Sequence, residues 1–587
     1  MAPKAAAQEV NEDEYLDQVW LKAAEEGGLF KAACDGKIDD LTALIEAKAD
    51  LNHPDARGST ALSGAVFMKK DKVVEWLLQN SADVNLQSMV VDNKRSPVFL
   101  AAANGIAHIL QQLIEAKADV NAVNDNPKAE TPIYGATLGQ HPKCVRKLLD
   151  AKADPSISVK DGETPVFAAV SRNNGALTEL LLTSKASPET SNKSYDMSAL
   201  MWASGCGFMD PLSKLIAGKV DVNACRSSDS VSALQVAVAQ GVTAAVKQLL
   251  GAKADPNLGA VDGTGCLHAA CEAGNIDILN KLVNAKGDVN FANKTKETPI
   301  LMASVRGHDA VVKALLAYKA DPCGSGDCPS TPVLAACLGG HLTVINRLLE
   351  SKADPKKPAE DLSTCLHVAS DGGHLEAVNI LIDLGLDATT ANDTNETPLY
   401  LAAAKGHLDV VKKLMEHKAD PEGAKGCDKT PLMAASQGGH TKLVLSLLVA
   451  KASVDGRPEA KEDKDQAPTP LYIAAINGHT AIVQQLINAK ADPNAKPPAI
   501  FSAARRKNNI QVVETLAAAK ADVNVAHDNG STPLHAAAAE GNVSVFNCLI
   551  QLKADMDAQT IATDRAPAMT PTVLLTLRLA EQGSAAV

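Results

Sequence analysis

The chain has 587 residues, more than one hydrophobic core organises, so it must be split into domains or built from repeats. Of these residues 46% are hydrophobic but only 3% aromatic, a composition that suits short helices in close contact. A formal charge of −12 leaves no basic face broad enough to neutralise a row of phosphates, which argues against a nucleic-acid binder.

Residues 1–26 place Tyr15, Leu16, Val19 and Trp20 among acidic neighbours, the pattern of an amphipathic helix that caps the open end of a stack. The segment lacks the apolar centre of a secretion signal, and nowhere do about eighteen apolar residues run together, so no membrane insertion is expected. The twelve cysteines show no paired framework spacing and suit a reducing compartment. The expected location is cytoplasmic, or nuclear.

From residue 27 to 468, and with less regular spacing from 469 to 569, one unit recurs. Thr-Pro-aliphatic opens it at Thr131, Thr164, Thr298, Thr331, Thr397, Thr430, Thr469 and Thr532. Degenerate copies begin at Thr60, Ser96, Ser198, Ser232, Gly265, Thr364 and Pro498. Between Gly265 and Thr430 the spacing is 33 residues five times running. A fixed period of this size decides the architecture before any single element is read.

The copy from Thr397 to Lys429 shows the unit most clearly. Thr397 caps a helix and Pro398 takes its first position, where a missing N–H is harmless. Ala402 and Ala403 allow close packing, and Gly406 ends the helix in a tight turn before His407. Leu408, Val411, Leu414 and Met415 then form the apolar stripe of a second, antiparallel helix. Ala419 to Lys429 is rich in Asp, Pro, Gly and Lys and reads as an extended hairpin-like loop. One such pair cannot bury its faces alone, so the copies must stack.

These residues and this period resemble the ankyrin repeat family, whose signature includes T-P-L-H-x-A. The resemblance covers Gly27 to about Ala558, some sixteen repeats, and implies an all-α solenoid of stacked antiparallel helix pairs joined by hairpin loops. His268, His367 and His535 supply the family's histidine at the fourth motif position. Tyr134, Phe167, Met201, Tyr400, Met433, Tyr472 and Phe501 stand there elsewhere, and the expectation is that several inter-repeat hydrogen bonds are exchanged for packing.

One departure is systematic. Family members usually end the second helix on a left-handed Gly, but here only Gly385 does so, and Lys takes the matching place in fourteen repeats, from Lys48 and Lys117 to Lys520 and Lys553. A non-Gly residue in that conformation costs roughly 1 kcal/mol, and a cation at a helix C-terminus returns about 0.3 to 1. Asp follows two residues later in most copies, as in Lys117/Asp119, so the row reads as charge-balanced caps; an anion-binding stripe is the other reading.

In the C-terminal third, 39 residues separate Thr430 from Thr469 and 29 separate Thr469 from Pro498. The longer interval holds a charged, Pro-flanked run after Gly456, expected to protrude as a mobile loop, either a hinge, a partner-specific finger or a neutral insertion. Thr570-Pro571 opens a last helix that closes the stack within residues 570–587.

Motifs of chemistry are missing. No phosphate-binding GxxxxGK[ST] is present, nor HExxH, GxSxG, a kinase catalytic loop or paired CxxC. Cys266/Cys271, Cys323/Cys328 and Cys337/His341 are weak metal candidates, and the Gly-His pairs at His308, His341, His374, His407, His440 and His479 lie a repeat apart. No catalytic residue, cofactor or metal is assigned, and an enzyme is not expected.

In proteins of the resembling family, partners are gripped on the concave face by the hairpin tips and the exposed end of the first helix. The resemblance therefore implies partner contacts at the helix ends through Arg172, Glu272, Arg306, Asp371, Lys405, Gln437, Arg505, Arg506 and Glu540. It implies them at the tips through Lys193, Tyr195, Lys294, Lys296, Asp327 and Asp393. These positions are polar and vary while the framework repeats. The expected function is a scaffold or adaptor, monomeric on its own, that binds partner proteins along a surface of roughly 150 Å. The alternative is a regulatory or targeting subunit of an enzyme complex such as a kinase, phosphatase or ubiquitin ligase. Asn85, Asn121, Asn223, Asn290 and Asn524 each end Asp-Val-Asn with Leu eight residues upstream, which resembles ankyrin sites hydroxylated by an asparaginyl hydroxylase. An Asn chosen for turn geometry is the other reading.

Overall fold

A computed structural model describes residues 28–90, 93–189, 191–194, 196–326, 328–425, 427, 429–456, 468–527, 530–560, 570, 571 and 575. The expected capping helix in 1–26, the interior of the charged loop at 457–467, and most of the closing helix after Pro571 lie outside these residues.

The described residues form sixteen helix pairs, from Leu29–Asp35 with Ile38–Glu46 to Pro533–Ala539 with Val543–Gln551. They divide between two compact units, Met1–Pro299 and Ile300–Val587. In each, successive first helices pack on one another and successive second helices do the same. The fold class is all-α.

Local chemistry sets each element. Thr131, Thr164, Thr331, Thr397, Thr430 and Thr469 accept the N–H three residues on and are followed by Pro at the first helical position. The first helices are only seven or eight residues long, too short to be stable alone, so packing must hold them. In Pro398–Lys405, Leu399, Ala402 and Ala403 are buried; in Leu408–Glu416 the buried stripe is Val410, Val411 and Leu414. Leu408 and Met415 are half-buried at its edges, a shift from the sequence expectation that arises because the second helix packs against neighbours on both sides.

The lysine row ends the second helices as expected. All fourteen lysines have φ between 61 and 69°, with Ser81 and Gly385 completing the set of sixteen. The motif is a Schellman cap: Lys418 N–H donates to the Met415 carbonyl at 3.2 Å and Ala419 N–H to the Leu414 carbonyl at 3.1 Å. Ala419 itself is buried, as are Ala118, Ala320 and Ala491 at the same place. The Asp that follows keeps its charge near the lysine but does not contact it. Among the described residues none of the fourteen lysines forms an ion pair. Each Asp instead turns back onto backbone: Asp119 accepts the Asn121 N–H at 2.9 Å and Asp522 the Asn524 N–H at 2.9 Å.

The Asn of this motif links repeats. Asn85 Oδ1 accepts the Asp119 N–H, Asn121 that of Asp154, Asn223 that of Asp255 and Asn524 that of Asp555, at 2.7 to 2.8 Å. The sequence K-A-D-x-N is thus a helix stop, a core contact, a turn and an inter-repeat bond in five residues.

The hairpin loops pair as strands in two places, Ser88–Val90 with Asn93–Arg95 and Ser191–Asn192 with Met197–Ser198. Elsewhere tips bond mainly to the tip before them. Lys160 N–H donates to Lys128 O at 2.9 Å, Lys193 to Asp161 at 2.8 Å, Val261 to Asp229 at 2.8 Å, Lys294 to Asp262 at 2.9 Å and Asp393 to Asp361 at 3.0 Å. Backbone groups at the tips find partners along the stack, so wide hairpin ladders are unnecessary.

Candidate partner-binding surface

Two rows of polar bonds hold neighbouring first helices in register and so fix where their exposed ends stand. The first row lies at the fourth motif position. His367 is fully buried; its Nδ1 accepts the Thr364 N–H at 3.1 Å and contacts Thr364 Oγ1 at 2.8 Å. Its Nε2 lies 3.1 Å from the Glu396 carbonyl of the next repeat, so Nε2 carries the proton and donates. His268 repeats this with Gly265 N–H and the Glu297 carbonyl. Burial holds both imidazoles below the usual histidine pKa, and the donated bond to a carbonyl only partly offsets it.

Of the non-histidine copies, Tyr134 keeps an inter-repeat bond: its hydroxyl donates to Glu163 of the next repeat at 2.6 Å. A phenol reaches a side chain where an imidazole reaches a carbonyl. Gln235, not singled out in the sequence, does the full task. Its Oε1 accepts the Ser232 N–H at 2.7 Å and its Nε2 donates to the Thr264 carbonyl at 2.9 Å.

The second row is formed by the Gly-His turns. Nε2 of His341, His374, His407, His440 and His479 donates to the carbonyl of Val305, Leu338, Asp371, Ala404 and Gln437, near the end of the preceding repeat's first helix, at 2.9 to 3.2 Å. Each ring occupies the space beside the preceding turn glycine: a Cβ on Gly373, already at φ 72°, would stand 2.5 Å from His407 Nδ1. Asn509 does the same through Nδ2 to Ala475 O at 3.1 Å, and the turn before it is one residue longer than its counterparts.

With the backbone held in this way, the candidate contact residues fall at equivalent places. Lys405, Asp371, Arg505 and Glu272 end first helices, and Arg172, Arg506 and Glu540 cap them. Arg306 follows the helix Pro299–Val305, and Gln437 lies in the last turn of Pro431–Gly438. At the tips, Lys193 and Lys294 are tied to the tip before, Asp393 likewise, and Lys296 is left-handed at φ 66°. Tyr195 and Asp327 lie outside the described residues.

Some neighbouring candidates pair with each other. Lys405 Nζ is 3.9 Å from Asp371, and Arg505 is 3.1 Å from Glu540. Arg506 Nη1 donates to the Ile476 carbonyl at 3.2 Å. Such exposed pairs are weak and give way to a ligand. Lys193, Lys294, Asp393 and Gln437 remain exposed.

No group of three or more His, Cys, Asp or Glu suited to a metal ion occurs among the described residues. Burial pushes the thiols of Cys34 and Cys266 up to about 12, so they stay protonated and behave as small apolar side chains. No helix among the described residues is long and apolar enough to cross a membrane.

Models of ankyrin repeats match residues 136–225, 166–260, 234–325, 333–425, 419–497 and 500–550, and a single-repeat model matches 57–89. The chain belongs to the ankyrin repeat family. Its stacked helix pairs are those of an ankyrin repeat solenoid, a fold whose repeats are protein-interaction modules. Among relatives, alpha-latrocrustotoxin-Lt1a of Latrodectus tredecimguttatus is 31% identical over 129 residues, 21% of this chain and 9% of that protein. Neurogenic locus notch homolog protein 1 of Xenopus tropicalis is 36% identical over 104 residues, 18% of this chain and 4% of the other. The crystal structure of the human ASB11 ankyrin repeat domain is 22% identical, covers 38% of this chain and 99% of its own, and has a TM-score of 0.35. The aligned part of this ankyrin chain thus spans under a tenth of the length of the two relatives.

Proposed function

We propose that this ankyrin repeat chain is a non-catalytic scaffold or adaptor, monomeric on its own, that binds partner proteins across its tips and first-helix ends. One observation carries the reading. Helix caps, turn histidines and left-handed lysines repeat with the same bonds, while the place before the turn, exposed at Val305, Leu338 and Gln437 and half-buried at Asp371 and Ala404, changes in consecutive repeats. A surface whose backbone is held constant and whose side chains are free to differ is suited to recognition. Of the residues implied by the family resemblance, Arg172, Lys193, Glu272, Lys294 and Lys296 serve in the first unit. Arg306, Asp371, Asp393, Lys405, Gln437, Arg505, Arg506 and Glu540 serve in the second.

Affinity purification of the full chain followed by mass spectrometry tests this, beside a variant reversing Lys193, Lys294, Asp393 and Lys405. Partners captured by the native chain and lost by the folded variant support the reading. Identical partner sets from both would overturn the assignment of this surface. Turnover of a substrate by the purified chain would overturn the non-catalytic part.

A further inference from the structure

In the unit Ile300–Val587, the tip between the helices Leu342–Glu350 and Cys365–Asp371 departs from its counterparts. Its turn needs a left-handed residue, which Ala129, Gly162, Ser230, Gly263, Lys296 and Asn395 supply elsewhere. Here Leu362 takes that place at φ 60°, the single large apolar residue with positive φ among the described residues. Two backbone bonds hold the turn: Leu362 N–H donates to Ala359 O at 3.1 Å and Ala359 N–H to Ser363 O at 2.9 Å. The side chain is nevertheless 51% exposed, so folding gains little from it. In the same repeat the first helix, Pro332–Leu338, ends on Leu338, which is 56% exposed. Glycine at 362 would serve the turn at least as well, so the leucine leaves an apolar side chain available to something outside the repeat.

The surroundings select what that is. Glu360 and Asp361 are exposed beside Leu362, and the bond from Asp393 N–H to Asp361 O sets a third exposed carboxylate on the adjoining tip. Asp361 is held ionised by the Ser363 N–H and hydroxyl, both at 2.9 Å. Of the two lysines before the tip, Lys357 donates to the Gly326 carbonyl at 2.8 Å. Glu360, Asp361 and Asp393 outnumber these two lysines, so anionic lipid or a phosphorylated segment is disfavoured, as is a second copy of a chain with net charge −12.

We propose that Leu362 and Leu338 anchor a basic segment of a partner protein, with separate aliphatic or aromatic side chains against each leucine and Lys or Arg against Glu360, Asp361 and Asp393. This rests on the reading of the tips and helix ends as the partner-binding surface, and names the chemistry of one partner.

The test uses the full chain and short fluorescein-labelled peptides of alternating lysine and leucine, lysine and glycine, or glutamate and leucine, followed by anisotropy. The lysine–leucine peptide is expected to bind most tightly, and less so as salt rises. Leu362→Gly should weaken it by about tenfold or more, the loss expected for one buried leucine. The same variant should melt no lower than the native chain, since glycine takes the left-handed turn without steric cost. Leu338→Ser should weaken binding independently. Equal affinity of native and Leu362→Gly protein would overturn the proposal, as would equal binding of the glutamate–leucine peptide. If no peptide binds while affinity purification still returns partners sensitive to the charge-reversed variant, this inference fails and the general reading stands; if both are negative, both fail.

Discussion

Replacing His367 separates the hydrogen bonds of this chain from its packing. His367→Leu keeps much of the side-chain volume but removes the acceptor for Thr364 N–H and Oγ1 and the donor to Glu396 O. At about 1 kcal/mol net per bond, with an added penalty if the Thr364 amide stays dry, the loss is about 2 to 4 kcal/mol. His367→Gln should cost less than about 1 kcal/mol, because Gln235 already makes both the intra-repeat and inter-repeat bonds from the equivalent place. Both variants should also differ from the native chain in acid, because neither carries the imidazole. Burial lowers the folded pKa of His367, so its stabilisation is complete above the unfolded value near 6.5 and is lost as pH falls through the folded value. Asp361, also lowered, acts only below its unfolded value near 4, so about pH 5 to 6.5 isolates the imidazoles. His268 titrates in the same direction and must be replaced in the background. A repeat stack need not unfold in one step, so hydrogen exchange of Cys365–Asp371 and Pro398–Lys405 reads the local opening free energy. If His367→Gln is as damaging as His367→Leu, or keeps the acid sensitivity, the bridging account is wrong.

Lys418→Gly should change stability by less than about 1 kcal/mol, relief of left-handed strain being offset by chain entropy and a lost cation at the helix end, whereas Lys418→Val should destabilise clearly in thermal melts. Leu414→Ala, which empties a fully buried site in Leu408–Glu416, should cost about 2 to 5 kcal/mol by denaturant titration with hydrogen exchange. The bidentate pair of Arg347 with Asp309, at 2.7 and 2.9 Å, should show a coupling of about 0.5 to 1 kcal/mol in a double-mutant cycle that shrinks in high salt. Brief trypsin treatment should cut first at Arg457, Lys461 or Lys464; resistance there while other sites are cleaved would refute a protruding loop.

Period, helix caps and the left-handed lysines were legible in the sequence because each is a local event: Thr-Pro satisfies the amides of its own first turn, and Lys418 ends its own helix. The stacking of pairs followed from the repeat, since one pair cannot bury its apolar faces. The sequence did not disclose that Asp119 serves a turn and Asn121 the next repeat, because that bond joins residues 33 apart and resembles charge balance when read along the chain. Nor did it disclose that Gln235 stands in for histidine, since the shared property is two polar atoms at the right reach and not residue type. Leu362 stayed hidden for a similar reason. Its identity is ordinary, and only tertiary structure shows a large apolar side chain forced into a left-handed turn and left in water among carboxylates. Local bonding is written in neighbouring residues, whereas exposure and cross-repeat partners are settled only when the stack is assembled.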